Sequence, residues 1–321
     1  MKRKDELLRR IERVLAKGGF YVYVASRGGD YLFDVIARKD RDLLMLVIRQ
    51  NLDSLRNEAI NEFKSLASAI NAAPLIVAER SAQDPLEDGV LYTRFGIPVL
   101  TISTLEDFMV EGVPPFMFAA RGGLYVKMDG DEIRRTREAK GLTPGMLARA
   151  TGVSRKAIQQ YEKGMGTFID IALKVEEFLG KPIIVPLDPF AMVGAGDVEE
   201  VIRRRSATPE GNDVLAKLGR LGFETIPTIK CPFDALGKRD GSTLLAGIEK
   251  MDPAMQMRRE VSLAYVSKIA EARGVVFTRL TAKQRSTGVA AITLGELRKT
   301  TEAERLLEII DERQGRPGQK R

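Results

Sequence analysis

The chain has 321 residues, 44% apolar and 30% charged, and its 51 Lys and Arg against 44 Asp and Glu give a formal charge of +7. That length calls for two or three domains, and no apolar run approaches the roughly 20 residues that would span a bilayer, so a soluble protein that meets no membrane is expected. The absence of histidine excludes Ser-His-Asp chemistry, Cys-His nucleophiles and nearly every zinc arrangement. A single cysteine, Cys231, read as a buried small residue, rules out a disulfide framework. With an N-terminus too charged for a signal peptide, it indicates a reducing cytoplasm.

Periodicity predicts a helix over Glu6–Lys17, strands over Tyr21–Ala25, Phe33–Arg38 and Leu43–Arg49, a long helix over Leu55–Asn71, and strands over Leu75–Ala78 and Val99–Ile102. The run LLMLVIR is apolar almost throughout, as a central strand covered on both faces would be. This is an α/β unit, with expected bounds 1–112. In GVPPFMFAARGGLYVKMDG, Pro114, Pro115, Gly122 and Gly123 break any long element, so 113–128 is read as a linker with at most a short strand at Leu124–Val126.

Residues 129–182 spell out a helix-turn-helix. A first helix, Asp131–Lys140, stops at Gly141. Thr143 then caps a second helix, with Pro144 where a missing backbone N–H costs nothing. Leu147 and Ala148 face inward, Gly152 takes the turn, Val153 plugs the corner, and Ser154 caps a third helix that turns Ile158 and Tyr161 inward. Arg155, Lys156, Gln159 and Gln160 stand on its opposite face. Between Arg134 and Lys163 there are eight Lys or Arg against two Glu, a basic stripe suited to phosphate.

Prolines 182, 186 and 189 then open a second linker, 183–211, with a helix predicted over Val198–Arg205; GAGD at 194–197 is too short for a phosphate loop. Beyond it the first unit repeats. FDVIARKDRDLLMLVIRQ at 33 and FDALGKRDGSTLLAGIEK at 233 align without a gap, and KGGFYVYV answers to RLGFETIP as FGIPVLTISTLEDF does to TGVAAITLGELRKT. The second copy is placed at 212–308. Residues 309–321 are read as a basic tail.

The segment with GLT, the LA pair, GVS and I-x-x-Y-E-x-G resembles the Cro/repressor-type helix-turn-helix family, although Pro144 stands where many members carry glutamine. The resemblance implies that Arg155, Lys156, Gln159 and Gln160 read base edges in the major groove while Thr143, Ser154 and Lys163 meet DNA nearby. The two α/β copies resemble the PD-(D/E)xK, restriction-endonuclease-like nucleases, whose Asp and Glu bind a metal and whose Lys activates water. Those positions are degenerate here: Asp34, Ile48 and Gln50 in one copy, Asp234, Ile248 and Lys250 in the other. Asp34 and Asp234 are read as holding the hairpin. The whole resembles a family of archaeal helix-turn-helix regulators. It implies two nuclease-like α/β domains flanking a small all-α reading domain, with no catalytic site, metal or cofactor. Double-stranded DNA is the expected partner and a homodimer the expected assembly. The alternative is a metal-dependent nuclease delivered to DNA by the same motif.

Overall fold

A computed structural model describes residues 2–27, 29–191, 213–249, 252–279 and 287–314. The predicted helix over 198–205, Lys250 and the last seven residues lie outside them. The chain divides into two compact units, one built from residues 1–48, 55–74 and 194–321, the other from 49–54 and 75–193. The division thus differs from the domain bounds expected from sequence, because parts of both α/β copies pack together.

In the first unit, α1 (Lys2–Lys17) buries Leu7, Leu8, Ile11, Val14 and Leu15 along one helical face. It leads into the antiparallel strands β1 (Tyr21–Val24), β2 (Val35–Lys39) and β3 (Asp42–Asn51). Leu43 to Ile48 are all buried, as their unbroken apolar run required. Helix α2 (Asn57–Ala69) follows.

The second unit holds β4 (Ala73–Ser81) from Leu75 onward, its short partner β5 (Asp84–Pro85), β6 (Val90–Arg94) and β7 (Ile97–Leu100). Thr101 caps α3 (Ile102–Glu106), so Ile102 opens a helix and does not close a strand as expected. Residues 113–128 are not a linker. They form an antiparallel hairpin, β8 (Met117–Ala120) and β9 (Gly123–Met128), since the two glycines that break a helix also permit a tight turn. The four helices α4 (Gly130–Ala139), α5 (Pro144–Thr151), α6 (Arg155–Tyr161) and α7 (Ile169–Leu179) and the strand β10 (Ile184–Val185), which pairs with β9, complete this unit.

The second copy lies in the first unit: α8 (Asp213–Arg220), then β11 (Glu224–Pro227), β12 (Ala235–Arg239) and β13 (Ser242–Ile248), α9 (Pro253–Ile269), β14 (Arg273–Thr278), β15 (Ala290–Thr293), α10 (Leu294–Lys299) and α11 (Ala303–Gln314). Helix α11 takes in residues 309–314, which had been read as tail, because Leu306 and Ile310 are buried in the core of this copy. The duplication extends to backbone detail. Gly19 and Gly222 share positive φ, as do Asp40 and Asp240, and Asn71 and Glu271. Lys39 donates to the carbonyl of Gly18, and its counterpart Arg239 donates to that of Leu221. Ile76 opposes Val99 in a parallel pair, as Val276 opposes Ala291.

Each copy also lays a helix against the other. Copy 2's α9 lies against β1 and β2 of copy 1: Tyr265 stacks on Tyr23 at 4.7 Å, the Tyr23 hydroxyl donates to Ser262 Oγ at 2.9 Å, and Arg38 Nε donates to the Ile269 carbonyl. In return, Ser65, Leu66 and Ala69 of α2 face Ile226 and Leu236 of copy 2 across a small cleft. Cys231 lines the same cleft. Burial pushes its thiol up to about 12. We expect the native protein at pH 8 to resist a thiol-specific chromogenic reagent and the urea-unfolded chain to react fully; rapid labelling of the native protein would contradict this burial.

Both strand-entrance aspartates do the same structural work. Asp34 N–H donates to the Leu46 carbonyl and Asp34 Oδ2 accepts from Ile48 N–H at 2.8 Å; Asp234 repeats both bonds, with Ala246 and with Ile248 at 2.7 Å. The second carboxylate oxygen is taken by a cation of the chain itself, Lys4 for Asp34 and Arg259 for Asp234, each at 2.7 Å. Arg259 is largely buried, so Asp234→Ala leaves both its charge and a strand N–H without this acceptor. The expected cost is about 3 kcal/mol in urea unfolding; a loss under about 1 kcal/mol would show that the pair holds nothing.

Candidate nucleic-acid interface

Each reading helix starts at a side-chain cap. Asp129 accepts from Glu132 N–H at 2.9 Å, which starts α4 one residue before the expected Asp131; Thr143 accepts from Met146 N–H at 3.2 Å, and Ser154 from Ala157 N–H at 3.1 Å. A capping hydroxyl that accepts a backbone N–H still has its own proton to donate to a phosphate. Thr143 and Ser154 thus serve the fold first. Gly141 and Gly152 adopt the left-handed conformation after α4 and α5, at φ 65° and 73°. Ile133, Leu147, Ala148, Ile158, Tyr161, Ala172, Val175 and Leu179 form the core, with Val153 packed against it and Val126, Met128 and Ile183 closing it from the strand side.

This packing leaves Arg155, Lys156, Gln159 and Lys163 exposed, while Gln160 sits half-buried on the shoulder. With 1.5 Å of rise per residue, Arg155 and Gln159 stand about 6 Å apart along the axis on one stripe, close enough to address neighbouring base pairs.

The exposed charge is smaller than the sequence count. Arg137 is buried, its Nε on Glu162 Oε1 at 2.5 Å and its Nη1 on the Leu142 carbonyl at 2.8 Å. The hydrogen bond to Glu162 raises its pKa further above the ordinary arginine value. Arg134 and Arg135 pair with Asp131 and Glu132, which fall just outside the counted window. Lys140, Arg149, Arg155, Lys156 and Lys163 remain, in no ion pair among the described residues. The acid inside the basic run, Glu162, was the sequence signal that one of these arginines is structural.

Two glycines hold the assembly together and had no assigned role. A Cβ on Gly130 would lie 2.6 Å from the carbonyl oxygens of Tyr161 and Glu162, and one on Gly166 would lie 2.7 Å from that of Val126. The end of α6 therefore touches the start of α4, and the segment just after it touches strand β9, with no glycine side chain between them.

Capped helices at this spacing, with a donor-rich outward third helix, define a helix-turn-helix DNA-binding protein. Family models agree: residues 133–185 match a helix-turn-helix model, and residues 4–115 match that of the PD-(D/E)XK superfamily domain. The chain is 32% identical to a protein of Archaeoglobus fulgidus over 96% of its own length and 97% of the relative's. It is 36% identical to one of Methanocella arvoryzae over 84% and 83%, and 34% identical to one of Halorubrum lacusprofundi over 98% and 99%. All three bear the name "Putative HTH-type transcriptional regulatory protein". No solved structure matches. The chain belongs to this archaeal family of HTH-type transcriptional regulatory proteins, and its function is DNA-binding transcriptional regulation through the helix-turn-helix. No described helix is long and apolar enough to cross a membrane.

Arg155→Ala is expected to reduce discrimination for the preferred site by about 1–3 kcal/mol while leaving the melting temperature unchanged, as competition binding against mismatched duplexes would measure. Unaltered discrimination would remove Arg155 from base reading.

Proposed function

We propose that α6 reads the major groove through Arg155, Lys156, Gln159 and Gln160, with Thr143, Ser154 and Lys163 on phosphate, and that the protein binds as a homodimer to an inverted repeat. In this reading, residues 129–182 are the reading domain and the α/β copies, at about 1–112 and 212–308, are scaffold. The observation that supports it is the outward stripe of donors on a helix whose inward face and cap are fully engaged. Arginine pairs with guanine and glutamine with adenine in bidentate geometry, and two-fold sites are the usual target of this motif.

The superfamily match over copy 1 favours a second reading, metal-dependent cleavage, so the metal's fit bears on it. Magnesium requires carboxylates or other oxygens converging on the ion. At the degenerate positions stand Ile48, wholly buried, Gln50, and Ile248 packed against the core of copy 2. The carboxylates of Asp34 and Asp234 are spent on a strand N–H and an internal cation. Glu249, one residue out of step with the superfamily's glutamate, accepts from the Thr278 hydroxyl. Among the described residues no group of three or more acids or cysteines is arranged to hold a metal. These residues do not fit the ion, and the proposal is a nuclease-like scaffold without cleavage.

Selection from random duplex DNA in the presence of magnesium tests both points. An enriched inverted repeat, recovered uncut and bound by two chains in sedimentation, is the expected result. Magnesium-dependent cutting that disappears in Glu249→Gln would establish the nuclease instead.

A further inference from the structure

The β8–β9 hairpin is bolted to the end of the recognition helix. Val126 and Thr167 exchange two backbone hydrogen bonds, of 2.8 and 3.1 Å, and the Thr167 hydroxyl meets that of Tyr161, the last residue of α6, at 2.9 Å. Gly166 allows the contact, since any Cβ there would strike the Val126 carbonyl. Farther out, Tyr125 stacks between Phe118 at 5.9 Å and Phe168 at 4.6 Å, and the Phe168 ring lies against Gly123. An aromatic ladder thus stiffens the hairpin almost to its tip.

That tip is Arg121-Gly122. Gly122 and Gly123 have φ of 99° and 149°, so the turn is closed by residues with no Cβ penalty. Arg121 is exposed and in no ion pair among the described residues, and Lys127 on the same hairpin is likewise exposed and unpaired. Arg121 lies five positions from the Val126 bridge, a reach of at most roughly 16 Å, about half a helical turn of duplex DNA.

We infer that this hairpin is a wing that carries Arg121 onto the phosphate backbone beside the half-site read by α6. The inference rests on α6 being the recognition helix. A rigid hairpin fixed to that helix, ending in an unpaired guanidinium among glycines, has the chemistry of a phosphate contact: charge and donors at the tip, on a turn whose neighbouring residues Gly122 and Gly123 carry no side chain. Such a contact positions the protein and carries no sequence information.

The test measures binding of the full-length protein by fluorescence anisotropy across a salt series, using the selected operator and a scrambled duplex of equal length. Arg121→Ala should weaken both duplexes by the same factor, about five- to tenfold at low salt, and lower the salt slope by about one. Arg121→Lys should restore most of the slope. Unchanged affinity and slope in Arg121→Ala overturns the wing, as does a loss confined to the operator, which would make Arg121 a base reader. The double variant Arg155→Ala/Gln159→Ala distinguishes the underlying reading: if it leaves operator preference intact, α6 is not the reader and the wing falls with it, whereas indifference to Arg121→Ala alone removes only the wing.

Discussion

The contact between Arg137 and Glu162 decides where the reading helix stands. One guanidinium holds the acid just past α6, an acid of its own helix and the carbonyl of the α4–α5 turn, so three pieces of backbone meet at a single planar group. Arginine suits this because its donors lie in a fixed fork. With both charges nearly buried, removal of Arg137 leaves Glu162 without its cation at a cost of several kcal/mol, whereas removal of Glu162 leaves Arg137 with Glu138 and the Leu142 carbonyl. This joint and the two glycine contacts beside it, with the buried Ile158 and Tyr161, fix where α6 stands.

A comparable economy governs the nuclease-like copies. In each, the acid that a nuclease of this superfamily would aim at a metal is turned to holding its own strand, and a cation of the chain neutralises it. The cations come from different places, Lys4 on the first helix of copy 1 and Arg259 on the helix after β13 of copy 2. Two copies that differ in the source of the charge yet keep its location indicate that the aspartate needs a positive partner. The backbone bonds it makes are the invariant part, and they are what shape the strand entrance.

Much of the reading unit was legible in the sequence because its signals are local. Thr143, Ser154 and Gly152 act within three residues of themselves, and Leu147, Ile158 and Tyr161 follow from helical spacing. The duplication was legible because matched blocks need no knowledge of contacts. Arg137 was misread as surface charge since its partner lies 25 positions away. The hairpin reads as a linker in sequence because two prolines and two glycines outweigh strands of four and six residues. The reciprocal packing of α2 and α9 leaves no trace in either copy alone, since the Tyr23–Tyr265 stack joins residues 242 positions apart.

That packing of each copy's helix against the other has a consequence for dosage. Because both halves of the nuclease-like pair belong to one chain, their association is first order and insensitive to dilution. The helix-turn-helix matches once in the chain, so under the proposed homodimer an inverted repeat is filled by two chains. On that proposal scaffold and reader obey different laws: the scaffold stays assembled at any concentration, while occupancy of an inverted repeat at low abundance rises with the square of the number of chains. A gene controlled this way answers to copy number with a threshold that the paired scaffold itself does not have.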